Sequence, residues 1–317
     1  MVKKYINNFY LFFFYQVCFH LKIKDLFFLP LSAESLGTRS LAISIQTETS
    51  QLIIDPGVAL APERFNLPPH SIERERRRLH RDDILTTINQ KSVEAFLISH
   101  YHQDHFPLFN EAVKTWNPDI SKFPKESPFY LKDPKVNLNK NQLRRAKKFT
   151  SALKKNSIKF YSIENQEYQL ESFYIQGSPL LYHGGKTAMG YVVSFEIIYK
   201  NTTVLYSSDI SGMPLQQHLD WIQKVDPDIL ILDGPIPDYL ELFKSNFQNL
   251  IPKLGNLNTI ILDHHLLRSH NWSEKILEEQ NLCQEMNIDF FTYAKVLGKK
   301  EELLEANRKN LYEFLPE

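Results

Sequence analysis

Short runs of β-type apolar residues recur along the chain from Leu26 onward: LFFLPL (26–31), LAISI (41–45), QLIID (51–55), EAFLIS (94–99), FYLKD (129–133), IKFYSI (158–163), YQLESFYIQG (168–177), GYVVSFEII (190–198), TVLYSS (203–208), DILIL (228–232) and TIIL (259–262). Bounded by turn residues, such runs predict strands. The stretches between them, 71–89, 138–154, 214–224, 239–253, 273–286 and 299–313, space their apolar residues as helices do. Two strand pairs, 41–45 with 51–55 and 190–198 with 203–208, are separated by only a few turn residues and predict hairpins. The sheets are therefore expected to be mixed, and a doubly wound parallel sheet is disfavoured. No Pro/Gly/Ser-rich linker divides the chain, the polar stretch 117–128 predicts an exposed loop, and no repeat of about 20–50 residues suggests a solenoid. One α/β domain of packed sheet and helix layers is the economical reading.

The first residues depart from this pattern. Residues 1–28 read MVKKYINNFYLFFFYQVCFHLKIKDLFF, with an aromatic run from Phe9 to Tyr15. A membrane span needs about 20 apolar residues, and this run is shorter. Residues 1–26 are expected to be an extension outside the domain 27–317, with a secretory signal or a peripheral anchor as the alternative, because Lys3 and Lys4 precede the apolar stretch.

Composition narrows the classes further. At 317 residues and 43% hydrophobic, most of the chain buries a core. Thirty-seven basic and thirty-seven acidic side chains cancel, which excludes attachment to nucleic acid or membrane by net charge alone. Cys18 and Cys283 lie far apart without C-x-x-C spacing, so neither a disulfide framework nor a thiolate zinc site is expected, and a reducing cytoplasm fits. Neither a P-loop nor a dinucleotide fingerprint nor a G-x-S-x-G elbow occurs.

The chemistry is concentrated in FLISHYHQDHFP, where a strand runs into His100, His102, Asp104 and His105. Imidazoles and a carboxylate at this spacing place four ligands for borderline divalent metals in one turn. The run His100-Tyr101-His102-Gln103-Asp104-His105 resembles the H-x-H-x-D-H motif of the metallo-β-lactamase superfamily. The superfamily's other motifs follow in order: Asp55 in QLIIDPG, His183 ahead of Gly190 and Tyr191 in LLYHGGKTAMGY, Asp209 in VLYSSDI, and His264 with His265 in IILDHHLLR. From Phe27 to the C-terminus the chain is similar to a branch described only as predicted metal-dependent hydrolases, in stretches that include PLSAESLGTRSLA, DPKVNLNKNQLRRAKKF, LDGPIPDYL and LLEANRKNLYE.

The resemblance implies an αββα sandwich with mixed sheets and two divalent metal ions, zinc foremost, with manganese or iron as alternatives. It assigns His100, His102 and His183 to one metal, Asp104, His105 and a late histidine to the other, and Asp209 to both. Asp55 is expected behind the ligands, orienting the ligand loop or accepting a histidine N–H and fixing its tautomer. His264 is preferred as the late ligand. If strand geometry persists, His265 points the opposite way and is left to orient substrate or give a proton to the leaving group. Asp104, His265 and Asp55 are thus the candidate catalytic residues.

Arg39 and Arg268 are candidate anion clamps, because a guanidinium fork matches phosphate oxygens, and Tyr101 either faces substrate or packs. RERRRLHR (74–81), QLRRAKK (142–148) and Lys154–Lys155 offer basic faces for nucleic acid, balanced by Glu73, Glu75, Asp82 and Asp83. The expected reaction is hydrolysis of a phosphodiester or other phosphate ester, in a small molecule or nucleic acid. The alternatives are an acyl bond (lactone, thioester or amide) on the same metals, iron-dependent redox chemistry, or a non-catalytic binding module. Redox di-iron relatives carry Glu in place of His102 and an attached flavin domain, and neither occurs here. No protein partner is predicted, and the oligomeric state stays open.

Overall fold

A computed structural model describes residues 21–107, 117–185 and 189–315. The first sheet contains β1 (Leu21–Ile23), β2 (Leu26–Ala33), β3 (Leu41–Gln46), β4 (Ser50–Ile54), β5 (Ser92–Ile98), β6 (Phe129–Leu131) and β7 (Phe160–Ser162), with α1 (Ser71–Thr87) and α2 (Lys140–Lys155) between its later strands. The chain continues through β8 (Glu167–Gln169), β9 (Tyr174–Gly177), the small hairpin β10 (Leu181–Tyr182) and β11 (Tyr191–Val192), then β12 (Phe195–Tyr199) and β13 (Thr202–Tyr206). It ends with α3 (Gln216–Val225), β14 (Ile229–Leu232), α4 (Leu240–Leu250), β15 (Thr259–Leu262), α5 (Trp272–Lys275), α6 (Leu277–Glu285), β16 (Asp289–Phe291), α7 (Tyr293–Val296) and α8 (Arg308–Phe314).

The first sheet runs β1 to β7 in sequence order and the second runs β16-β15-β14-β13-β12-β9-β8. Both are mixed: β1 to β4 and β8 to β13 pair antiparallel, while β4 to β7 and β13 to β16 pair parallel. The predicted hairpins are present, with Ile43 opposite Ile54 and Ile197 opposite Val204.

Each sheet is apolar on both faces, so it must be covered twice. Ile43, Ile45, Leu52 and Leu97 of the first sheet meet Ile175, Phe195, Ile197 and Ile231 of the second in an inner core. On the outer face of the first sheet, Ile53, Phe96 and Ile98 pack under Ile84 of α1 and Phe149 and Leu153 of α2. Leu205, Leu230 and Ile260 of the second sheet pack under Ile222, Phe243, Phe247 and Cys283. The layering is therefore helix, sheet, sheet, helix. Among the described residues no helix is long and apolar enough to cross a membrane.

Three expectations change. The boundary at residue 26 falls inside a hairpin, because Leu21 pairs with Phe28 and Ile23 with Leu26; residues 1–20 lie outside the described residues. Stretch 117–128 exposes Ser121, Lys122, Lys125 and Glu126 but anchors itself by burying Ile120 and Phe123 against Phe96. Helix 299–313 shrinks to Arg308–Phe314. Its acidic residues are drawn to separate partners: Glu301 to Trp272 and Thr292, Glu302 to Arg76, and Glu305 to Arg39.

Candidate metal centre

The parallel strands of both sheets end at one place, and local backbone geometry turns their last residues toward it. Asp55 after β4, Ser208 after β13 and His264 after β15 have positive φ of 46°, 59° and 74°. Non-glycine residues rarely adopt this region, and such outliers cluster at functional sites. The turn after Asp55 needs a glycine, because a Cβ on Gly57 would lie 2.4 Å from the backbone nitrogen of Phe106. That contact seats the His100–His105 loop against the end of β4. Gly190, at φ 90°, lets its carbonyl accept from the backbone N–H of His183 at 3.0 Å.

Two donor sets result. His100, His102, His183 and Asp209 form one, and Asp104, His105 and His264 another, each with donor atoms within 4.8 Å of one another. Asp209 faces both. Its Oδ2 lies 3.6 Å from His100 Nε2 and 3.3 Å from His183 Nε2, while its Oδ1 lies 3.1 Å from His105 Nε2 and 3.5 Å from His264 Nε2. His264 Nε2 also lies 3.7 Å from Asp104. His102 turns Nδ1 toward His100 Nε2 at 3.0 Å and Nε2 toward the amide of Gln142, 3.3 Å away.

The adjacent histidines do not diverge. The left-handed turn at His264 ends strand alternation, and both rings converge on Asp209, with centroids 4.4 Å apart. His265 Nε2 lies 3.6 Å from Asp209 Oδ2, so it forms a further potential ligand group with Asp209 and His264.

Three of these rings are held from behind by carboxylates. Asp55 receives His105 Nδ1 at 2.8 Å, Glu34 receives His264 Nδ1 at 2.7 Å, and Asp233 receives His265 Nδ1 at 2.9 Å. With Nδ1–H donated to a carboxylate, each ring turns its Nε2 inward, that of His264 lying 3.2 Å from Arg268 Nη2. Asp55 also accepts from Ser99 N and Tyr206 Oη, both at 2.8 Å. Sequence reasoning placed Asp55 in this role and missed Glu34 and Asp233. Both sit in quoted stretches, but their partners lie 230 and 32 residues away.

Electrostatics follow from this crowding. Burial opposes charging of His264, but Glu34 and Asp209 override it and push the ring up to about 10. His265, buried beside Arg268 and His264, is held well below the usual imidazole range. Glu34, Asp55, Asp104, Asp209 and Asp233 converge here, and Arg268 is the guanidinium that meets them, with Nε 2.8 Å from Glu34 and Nη2 3.9 Å from Asp104.

A hollow of about 230 Å³ opens over the cluster between Arg39, Leu60, Arg145, Met189 and Arg268. Arg39 lines it but is held by a two-pronged pair to Glu305, both contacts at 2.7 Å. Arg145, projecting from α2, donates to the Tyr101 carbonyl, forms no salt bridge among the described residues, and feels the charge of Asp104. Tyr101 does not reach this space. It is fully buried in the outer layer and donates its hydroxyl to the Lys132 carbonyl at 2.6 Å, so of its two expected placements the packing one is observed. Of the predicted basic faces, QLRRAKK thus sends Arg145 to the hollow, whereas on RERRRLHR Arg78 pairs with Glu75 and Asp82, and Arg76 with Glu302.

Comparison with known proteins agrees with this geometry. A sequence profile of the metallo-beta-lactamase superfamily matches residues 37–257. A UPF0282 protein of Saccharolobus solfataricus is 33% identical over 291 residues, covering 89% of this chain and 92% of its own length. One from Methanocaldococcus jannaschii is 34% identical over 293 residues, covering 89% of this chain and 95% of its own. Among solved structures, CmlA, a diiron beta-hydroxylase from Streptomyces venezuelae, superimposes with a TM-score of 0.51 at 11% identity. The match covers 86% of this chain and about half, 53%, of CmlA. At that identity the likeness concerns the fold alone. The chain belongs to the metallo-beta-lactamase superfamily and, within it, to the UPF0282 proteins.

The donors fit a pair of divalent cations. His105 Nε2, His183 Nε2 and Asp209 Oδ1 are buried without a hydrogen-bond partner. Orphaned polar atoms of this kind are costly unless something binds them. The mixed imidazole and carboxylate ligands suit zinc, and also manganese or iron.

Proposed function

We propose that this protein is a hydrolase dependent on two divalent cations, zinc foremost, acting on a phosphodiester or other phosphate ester of a small molecule or nucleic acid. The observation that carries the reading is the pair of donor sets sharing Asp209, with bare Nε2 atoms aimed between them. Held there, the cations would polarise the phosphoryl oxygens and lower the pKa of a shared water from 15.7 toward ~7.

The chain's own groups supply the rest. Asp55, Glu34 and Asp233 fix the tautomers of His105, His264 and His265, so that no ring reorients during reaction. His265, its Nδ1–H held by Asp233, presents Nε2 at the edge of the hollow. There it is placed to orient the substrate or to pass a proton to the leaving oxygen. Asp104, opening onto the hollow, is the second candidate for that proton. Arg145 lines the entrance without a salt bridge among the described residues and favours an anionic ester over a neutral acyl substrate, while Arg39 and Arg268 beside it are paired with Glu305 and Glu34.

The test is elemental analysis of the purified protein together with cleavage of a generic phosphodiester and a generic carboxylic ester, each with and without chelator. About two zinc or manganese ions per chain and chelator-sensitive phosphodiester cleavage that weakens steeply with salt support the reading. Cleavage of the carboxylic ester alone, or one iron per chain, overturns it in favour of acyl or oxygen-dependent chemistry.

A further inference from the structure

Next to the cation hollow lies a second one of about 300 Å³, built on the loop 233–240. Arg39, His265 and Arg268 line both, so the two adjoin. The floor of the second hollow is apolar: Pro235, Ile236, Leu240 and Leu266. Its rim is basic, with Arg64 and Lys275 joining Arg39 and Arg268. Glu305 pairs with Arg39 and lies 3.9 Å from Arg64, and Glu34 pairs with Arg268. Lys275 donates to Ser269 Oγ and has no carboxylate partner among the described residues. Arg268 also lies 3.9 Å from Asp104, so four cations face three carboxylates and the rim keeps one positive charge in excess.

The floor is preformed. Asp233, the first residue of the loop, accepts from the backbone N–H groups of Ser211 at 2.6 Å and Gly212 at 3.2 Å. Gly234, at φ 70°, admits no side chain easily, since a Cβ would lie 3.0 Å from Leu266 Cβ. Pro235 and Pro237 bracket Ile236 and restrict its backbone. The Asp233 carboxylate that anchors the loop also holds His265. The element that shapes the apolar floor therefore also aims the histidine standing at its edge. An apolar floor with a few convergent charged groups is the usual make-up of a small-molecule site.

We infer that this second hollow receives the leaving-group half of the substrate, and that the substrate class is a phosphate ester of an apolar, ring-bearing alcohol. The phosphoryl group sits over the donor sets, the ring on Ile236 and Leu240, and the ester oxygen between them beside His265. This inference rests on the phosphoesterase reading.

The test uses the full chain loaded with zinc and two non-hydrolysable probes, phenylphosphonate and methylphosphonate, titrated calorimetrically. The parent is expected to bind the phenyl compound about 10-fold more tightly or better, the gain from burying one ring. Ile236→Trp fills the floor and should bring the two affinities within about 2-fold, leaving methylphosphonate binding and zinc content unchanged. Leu240→Ala, which adds no bulk, should remove part of the preference and serves if the tryptophan variant misfolds. Equal affinities in the parent, no binding of either probe, or a preference untouched in folded Ile236→Trp and Leu240→Ala overturns the inference. A phenyl preference abolished by Ile236→Trp, with no phosphate ester cleaved, keeps the subsite and overturns the hydrolase reading. Cleavage of phosphate esters without any phenyl preference does the reverse.

Discussion

The two sheets repeat one plan, three antiparallel pairings followed by three parallel ones, yet they furnish the centre differently. The first half places His100, His102, Asp104 and His105 on a single loop after β5. The second half spends each strand end separately: Asp209 after β13, Asp233 after β14, His264 and His265 after β15, and His183 within the small β10–β11 hairpin. Parallel strands present their carboxyl ends along one edge, so either arrangement reaches the same point. The difference lies in replaceability. The loop offers several neighbouring donors, whereas Asp209 is the carboxylate that faces both donor sets.

The sharpest way to break this comparison is to remove one residue from each half. Asp209→Ala is expected to lose both cations and all hydrolysis, while His102→Ala keeps the cation of the other set, as read by elemental analysis and phosphodiester turnover. Retention of about two ions by Asp209→Ala would remove it from its shared position. The fold should survive in both variants, because the inner core lies below the centre.

The halves are also bolted together by the chain's end. Arg308, fully buried, donates to both oxygens of Glu73 in α1 at 2.8 Å and to the carbonyls of Leu67 and Ala61. Arg308→Ala strands the Glu73 charge and should destabilise the protein by about 3–5 kcal/mol, seen as a lower denaturant midpoint at unchanged slope. A smaller effect attends the carboxylates behind the histidines. Asp55→Asn in the first half and Glu34→Gln, which reaches across to the second, should each cost about 10–100-fold in metal affinity or turnover. If only one does, the halves are unequal in how firmly they hold their rings.

The mildest contrast concerns two buried histidines on the outer helices. Burial holds His80 of α1 at about 3 and His218 of α3 at about 4. The unfolded chain takes up protons at these positions from about pH 6.5 downward, and the folded protein does not until the depressed values are reached. Stability should therefore fall as pH drops from about 6.5 toward 4. His80→Gln and His218→Gln should each flatten that fall, measured as the thermal midpoint against pH, and an unchanged slope would contradict the assignment.

What was legible in the sequence follows the same division. The contiguous His100–His105 run reveals itself by spacing alone, and the hairpins by their short turns. Glu34 and Asp233 were not legible, since a lone acid at a strand end gains meaning only from a histidine brought to it by the fold. The pair His264–His265 misled for a physical reason: alternation assumes extended backbone, and a positive φ at His264 overrides it. Tyr101 sits among ligands in sequence and among phenylalanines in space, its ring 5.7 Å from that of Phe106.

The shared position of Asp209 also carries a consequence for how the protein is made. A chain synthesised from its N-terminus releases the four donors of the His100–His105 loop together, and Asp209 follows about a hundred residues later. Until then the loop's imidazoles have Asp104 and Asp55 as nearby anions and nothing to bridge two cations. On the proposed reading, full loading waits for β13 and then β15 to join their sheet, so most of the polypeptide is made before its centre can be filled.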